Sequence, residues 1–227
     1  MLQGIKVQGD KMKTLRIAFL TSLFTLIGCD STYYATMEKF GQHKRDILVN
    51  RVENTTESQE EAKQQFASAL EQFSSLIQFD GGDLQDQYEA SQQHYDDSLA
   101  AANEVSANID SIENVAEDLF DEWQEEIEQY SSQSFKRQSQ QKMRETRRNY
   151  EAVVKKMRRA EAKMEPVLVA FKDNVLFLKH NLNAQAIGSL KSEYQVIKRD
   201  IEALIKEVNA SIDNSREFID ALKADMN

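Results

Sequence analysis

The sequence predicts an all-α fold: an elongated, antiparallel, up-down-up-down four-helix bundle with coiled-coil-like packing. The first observation behind this is a scarcity of turn formers. After residue 28 the only glycines are Gly41, Gly81, Gly82 and Gly188, and the one proline is Pro166. A chain so poor in the residues that set tight turns runs in long elements. The second is a seven-residue apolar repeat kept over much of the length, as in helices packed lengthwise on one another. The third is charge. Residues 83–130 hold fifteen Asp and Glu and no Lys or Arg, whereas residues 136–163 hold eleven Lys and Arg against three Glu. An acidic segment beside a basic one selects its neighbour, because other pairings set like charges together.

Residues 1–28 read as a secretory leader. Lys11, Lys13 and Arg16 precede an apolar stretch over residues 17–27, interrupted by Thr21, Ser22 and Thr25, and ending in Leu26-Ile27-Gly28-Cys29. Positive charge, a short apolar core and a final small residue are the order of a signal peptide. The apolar run is too short for a permanent membrane span. The first eleven residues add nothing such a leader needs, so Met12 serves as a start. Leu-Ile-Gly-Cys resembles the lipobox of bacterial lipoproteins. That resemblance implies cleavage before Cys29, a diacylglycerol on its thiol, and often an acyl group on the new amine. Several acyl chains anchor stably where a single chain does not. Asp30 resembles the inner-membrane retention signal of enterobacterial lipoproteins, so the expected site leans to the inner membrane, facing the periplasm. The competing reading is an uncleaved leader on a cytoplasmic protein with a chance cysteine; the order and spacing of the parts argue against it. With one cysteine there is no intramolecular disulfide.

Residues 29–33 form a short tether, and residues 34–227 the helical domain, with helices expected near 34–78, 84–130, 135–180 and 184–225. The first has apolar positions at Phe40, Ile47, Leu48, Val52, Phe66, Leu70, Phe73 and Ile77, and its polar middle, residues 53–61, reads as the least well packed part. Asp80-Gly81-Gly82-Asp83 is a turn signal, with Asp83 placed to cap the next helix. The second carries the clearest pattern: Tyr88, Tyr95, Ala102, Ile109, Ala116, Trp123 and Tyr130 recur every seven residues. The companion row of Leu84, Ser91, Ser98, Val105, Ile112 and Leu119 meets a charge at Glu126, expected to answer a Lys or Arg on the third helix. Ser131-Ser132-Gln133-Ser134 ends this segment. In the third, Met143, Tyr150, Met157, Met164, Phe171 and Leu178 keep the seven-residue step, with Val153, Ala160 and Val167 beside them. Their phase runs unbroken past Pro166, which predicts one kinked helix. His180-Asn181-Leu182-Asn183 is the next turn, with Asn183 as a cap. The fourth shows Leu190, Tyr194, Ile197, Ile201, Leu204, Val208, Phe218 and Leu222. Short connections between helices of matching length make neighbours antiparallel. Folding at residues 131–134 lays Glu117, Asp118, Asp121, Glu122 and Glu125 near Lys142, Arg144, Arg147 and Arg148.

Chemistry is sparse. His43, His94 and His180 stand apart, and no His-x-x-x-His, Glu-x-x-His, Cys-x-x-Cys or glycine-rich phosphate loop occurs. No catalytic residue, metal ligand or cofactor is expected. His180 stands beside a turn, where a capping or surface role outweighs a ligand's. Trp123 and the tyrosines fall on the apolar rows, which favours packing over a binding cage. Met143, Met157 and Met164 likewise sit at core spacing. Asn54-Thr55-Thr56 is a glycosylation sequon without meaning in a bacterial envelope. The basic run could address nucleic acid or anionic lipid. However, residues 1–28 hold four basic residues and one acid against a chain total of −10, leaving the rest about thirteen negative charges. Nucleic acid is therefore not an expected partner.

Several stretches resemble a bacterial family of envelope lipoproteins known only as a domain of unknown function. They are Lys39-Phe40-Gly41 with His43-Lys44-Arg45-Asp46-Ile47-Leu48; Phe79-Asp80-Gly81-Gly82-Asp83-Leu84; and Leu119-Phe120-Asp121-Glu122-Trp123. The likeness continues through residues 158–168, from Arg158-Arg159-Ala160 to Pro166-Val167-Leu168, and through residues 175–187, which include Lys179-His180-Asn181-Leu182-Asn183. The resemblance implies an envelope location and helical architecture, and brings no activity with it. The expected function is that of a non-enzymatic structural or adaptor lipoprotein, held to a membrane through acylated Cys29 and touching another envelope protein. The alternative is a helical module that binds a small or lipidic ligand near the Pro166 kink, on the face of residues 171–182. Oligomeric state is not set by these patterns.

Overall fold

A computed structural model describes residues 44–226 apart from residue 80, and among the described residues every regular element is a helix. Cys29, Asp30, the tether, His43 and the expected first turns of helix one lie outside the described residues. The elements are α1 (Lys44–Ile77), α2 (Leu84–Gln129), α3 (Gln133–Glu161), α4 (Met164–His180) and α5 (Ala184–Met226).

Each break has a local cause. Gly82 closes the first turn at φ +125°, a conformation that side chains resist, and the Phe79 ring lies 3.2 Å from where a Cβ would stand. Asp83 then caps α2, its carboxylate accepting from the Gln85 N–H at 2.8 Å. Ser132 caps α3 by accepting from the Phe135 N–H. Asn183 caps α5, accepting from the N–H groups of Gln185 and Ala186 at 3.0 and 3.1 Å.

The third segment differs from the expected single helix. It divides at Ala162 and Lys163 into α3 and α4. Pro166 has no N–H to donate to the Ala162 carbonyl four residues back, and its ring crowds that same carbonyl. The ladder tightens instead, the Lys163 N–H reaching the Ala160 carbonyl at 3.0 Å. Ala162 and Lys163 keep right-handed helical angles, so the buried row continues through Met157, Ala160, Met164, Val167 and Phe171.

The core is a stack of apolar side chains from all five helices. Leu48, Phe66, Leu76, Ile109, Ile127, Met157, Leu178, Leu190 and Ile201 are fully buried. Phe66 stacks on Phe171 with ring centroids 6.4 Å apart, and Phe73 meets Tyr194 at 6.0 Å. Contacts between α1 and α5 run in opposite order. Glu53 bonds Lys223, Gln59 bonds Ser211, Lys63 bonds Asn209, and Phe73 meets Tyr194. Between α2 and α3, Glu128 pairs with Lys136, Trp123 bonds Ser139, Phe120 meets Tyr150, and Asp110 pairs with Arg158.

Two expectations are corrected by burial. Residues 53–61 are not loosely packed: Thr55 and Gln59 are fully buried and Ser58 nearly so. Polar composition suggests poor packing, but Thr55 and Ser58 turn their hydroxyls back to carbonyls of α1, and Gln59 accepts from Ser211 across the bundle. Glu126 is exposed and answers no cation on α3, because Ile127 fills the row at this level.

Candidate functional site

Polar side chains interrupt the apolar rows at heptad positions, and these interruptions are the unusual chemistry of the core. Val52, Gln59, Phe66 and Phe73 are seven residues apart along α1; Leu190, Ile197, Leu204, Ser211 and Phe218 along α5. At one level the Ser211 hydroxyl donates to the Gln59 side-chain carbonyl at 3.1 Å, and the Ser215 hydroxyl donates to the Ser211 backbone carbonyl at 2.8 Å. The Thr55 hydroxyl turns back to the Arg51 carbonyl at 2.8 Å. Gln59 Nε2, Ser98 Oγ and Asn214 Oδ1 are buried without a hydrogen-bond partner among the described residues. A polar pair inside a helical core costs stability and fixes which turns face each other.

A second polar group stands where α1, α2 and α4 meet. Val153, Ala160, Val167 and Asn174 share one seven-residue row, and Asn174, only 9% exposed, is its polar member. It lines a cavity of about 20 Å³ together with Phe73, Leu76, His94, Phe171 and Val175. Asn174 Nδ2 is a donor and His94 Nδ1 belongs to a ring that can accept; neither has a hydrogen-bond partner among the described residues. This volume admits a group of roughly one water. A drug-sized ligand needs several hundred Å³.

The remaining sequence candidates are placed as follows. His180 ends α4 and is exposed; His94 is half-buried at the cavity. Trp123 is buried, donates from Nε1 to the Ser139 hydroxyl at 2.9 Å, and carries the Arg45 guanidinium 4.2 Å over its ring. Met157 and Met164 are core, and Met143 is half-buried. Tyr150 is held neutral: burial, then Glu113, pushes its phenol up to about 12. Arg158 gathers Asp110, Glu113 and Glu161. Burial works against its charge, but hydrogen bonds to Glu113, Asp110 and Glu161 outweigh that and hold the guanidinium protonated more firmly than usual. Among the described residues no group of His, Cys, Asp and Glu could hold a metal ion, and no helix is long and apolar enough to cross a membrane.

Sequence reasoning passed over Gln59 and Asn174, although the signal was available: each is the polar member of an otherwise apolar seven-residue row. A family model described as "Protein of unknown function (DUF2959)" matches residues 33–222. Among curated proteins none matches the chain.

Proposed function

The chain belongs to this family of proteins of unknown function, and from that premise we propose that it is a bacterial envelope lipoprotein whose helical domain is a non-enzymatic adaptor. The leader is removed before Cys29, and the acylated cysteine holds the domain on the periplasmic face of a membrane, with Asp30 favouring the inner one. The domain is an antiparallel up-down-up-down four-helix bundle, α3 and α4 together forming its third arm. The opposed order of the α1–α5 and α2–α3 contacts supports this topology. At ~1.5 Å per residue, the 46 residues of α2 extend about 70 Å, a long surface for a partner to read. The observation that carries the reading is the use of the helices' inner faces: they fill one another's grooves with buried apolar side chains, leaving charged outer faces for partners.

The anchor is tested by growth with an alkyne-tagged fatty acid. Wild type is expected to take the label and sediment with membranes. Cys29→Ser is expected to lose all label and to keep its leader. Equal labelling of the two would end the lipoprotein reading. The adaptor role is tested separately by photo-crosslinking from exposed helix positions in cells, with recovery of a defined envelope protein as the expected result.

A second reading, a ligand-binding bundle, has the Asn174 cavity in its favour, on the face of α4 beyond Pro166. Its size favours a structural role. Asn174→Leu fills the space and removes a buried donor without a partner, a group that costs about 1–3 kcal/mol. The variant is expected to gain about 1 kcal/mol in urea unfolding. A loss of stability, with extraction of a bound small molecule from wild type alone, would favour the ligand instead.

A further inference from the structure

The outer face of α3 carries a line of cations that the fold does not use. Arg137, Arg144, Arg148 and Lys155 follow one another at steps of seven, four and seven residues, so they share one side of the helix. The buried Thr146, Val153, Met157 and Ala160 lie half a turn away, so the cations point directly out from the core. All four are exposed. On the neighbouring α2, Glu117, Asp121 and Glu125 are likewise exposed, at steps of four. Among the described residues none of these seven groups is in an ion pair, although α2 and α3 pair elsewhere through Glu128–Lys136 and Asp110–Arg158.

The two sets stand at one height. The Phe120 ring packs on Tyr150 at 5.6 Å and lies 4.5 Å beneath the Arg147 guanidinium. That contact puts the turn of Glu117, Asp121 and Glu125 level with Arg144 and Arg148. A two-fold axis parallel to the helices, along the groove between α2 and α3, therefore sets α2 of one molecule against α3 of another without changing height. Both acidic rows then meet both basic rows in one operation, the self-complementary geometry of a closed two-fold dimer.

We propose that the shared outer face of α2 and α3 docks a second copy of this chain, the Arg144–Arg148 turn of each copy lying on Asp121 and Glu125 of the other. This deepens the adaptor role by naming one partner, and does not depend on the anchor. An anionic membrane or nucleic acid is the less suited occupant, because the domain as a whole is strongly acidic while the complementary acidic row is present on the chain itself. Contacts of this kind confer orientation and salt-sensitive association more than tight binding.

The test is sedimentation velocity of the full chain in detergent. Wild type is expected to form dimers at low salt and to weaken about tenfold or more by about 0.5 M NaCl. Arg144→Glu with Arg148→Glu, and separately Asp121→Arg with Glu125→Arg, are each expected to stay single. Mixed together they are expected to pair, since both rows become complementary again. All four positions are exposed, and unchanged helical circular dichroism checks that the variants fold. A single-copy wild type at every salt overturns the proposal, as does failure of the mixed variants to pair. Wild-type binding to phosphatidylglycerol vesicles without self-pairing, lost in the arginine variant, overturns it in favour of a membrane. Loss of self-pairing while crosslinking still captures another envelope protein sinks this inference and leaves the adaptor role standing.

Discussion

Phe66→Ala is expected to lower the stability of the bundle by about 3–5 kcal/mol, the range for truncating a buried phenylalanine. Phe66 is fully buried at the middle of α1 and stacks on Phe171, so its removal opens a cavity where two arms meet just past the α3–α4 break. Urea unfolding followed at the helical circular dichroism band measures the loss. Phe135→Ala is the control: that ring is 61% exposed, and a change within about 0.5 kcal/mol is expected. Similar small losses at both positions would mean that the helices are not packed as described.

Arg158→Ala is expected to cost about 2 kcal/mol, by removing charge-assisted bonds to three carboxylates at once. Asp110 and Glu113 come from α2 and Glu161 from the last turn of α3, so one guanidinium ties two arms beside the break. The full cost of breaking a buried pair is not expected, because about a third of the Arg158 side chain remains exposed. Arg158→Lys is expected to recover about half the loss or less, since an ammonium cannot present the guanidinium's planar fork. Equal stability of the Lys variant and wild type would show that charge alone suffices. Arg159→Ala offers a comparison, its single bond to Glu207 lying further out in solvent, with a loss below about 1 kcal/mol expected.

The helical class was legible because its signals are local. Few glycines and one proline leave few places to turn, and Asp83, Ser132 and Asn183 sit one residue before α2, α3 and α5, where their side chains close the first turn. The heptad rows also located much of the core. Where the reading failed, a local feature was outweighed by a neighbour. Pro166 was read as a kink within one helix; the crowding falls on the Ala162 carbonyl, and the helix ends there. The polar residues 53–61 were read as poorly packed, yet Gln59 meets a serine more than 150 positions away on α5, which no pattern within α1 reveals.

The acidic and basic segments show the same division. Their composition predicted that α2 and α3 would pair, and they do, through Glu128 with Lys136 and through Arg158. Composition could not say which charges would be consumed. Arg144 and Arg148, expected near the acidic helix, stand level with it but project outward and, among the described residues, form no ion pair with it, since α3 turns its buried row inward and leaves them half a turn behind. Family membership was likewise legible in scattered stretches, while the proposed membrane anchor rests on residues that precede the described helices.

By itself, the sequence determined that this chain is helical, where most of its helices begin, and which residues are greasy enough to be inside, because capping, turn formation and apolar periodicity depend on residues a few positions apart. Tertiary structure alone decided which polar groups are buried, which carboxylates Arg158 collects, and which cations remain outside. Those outcomes depend on the rotation of each helix about its own axis, which is set only when all the apolar rows are packed against one another at once.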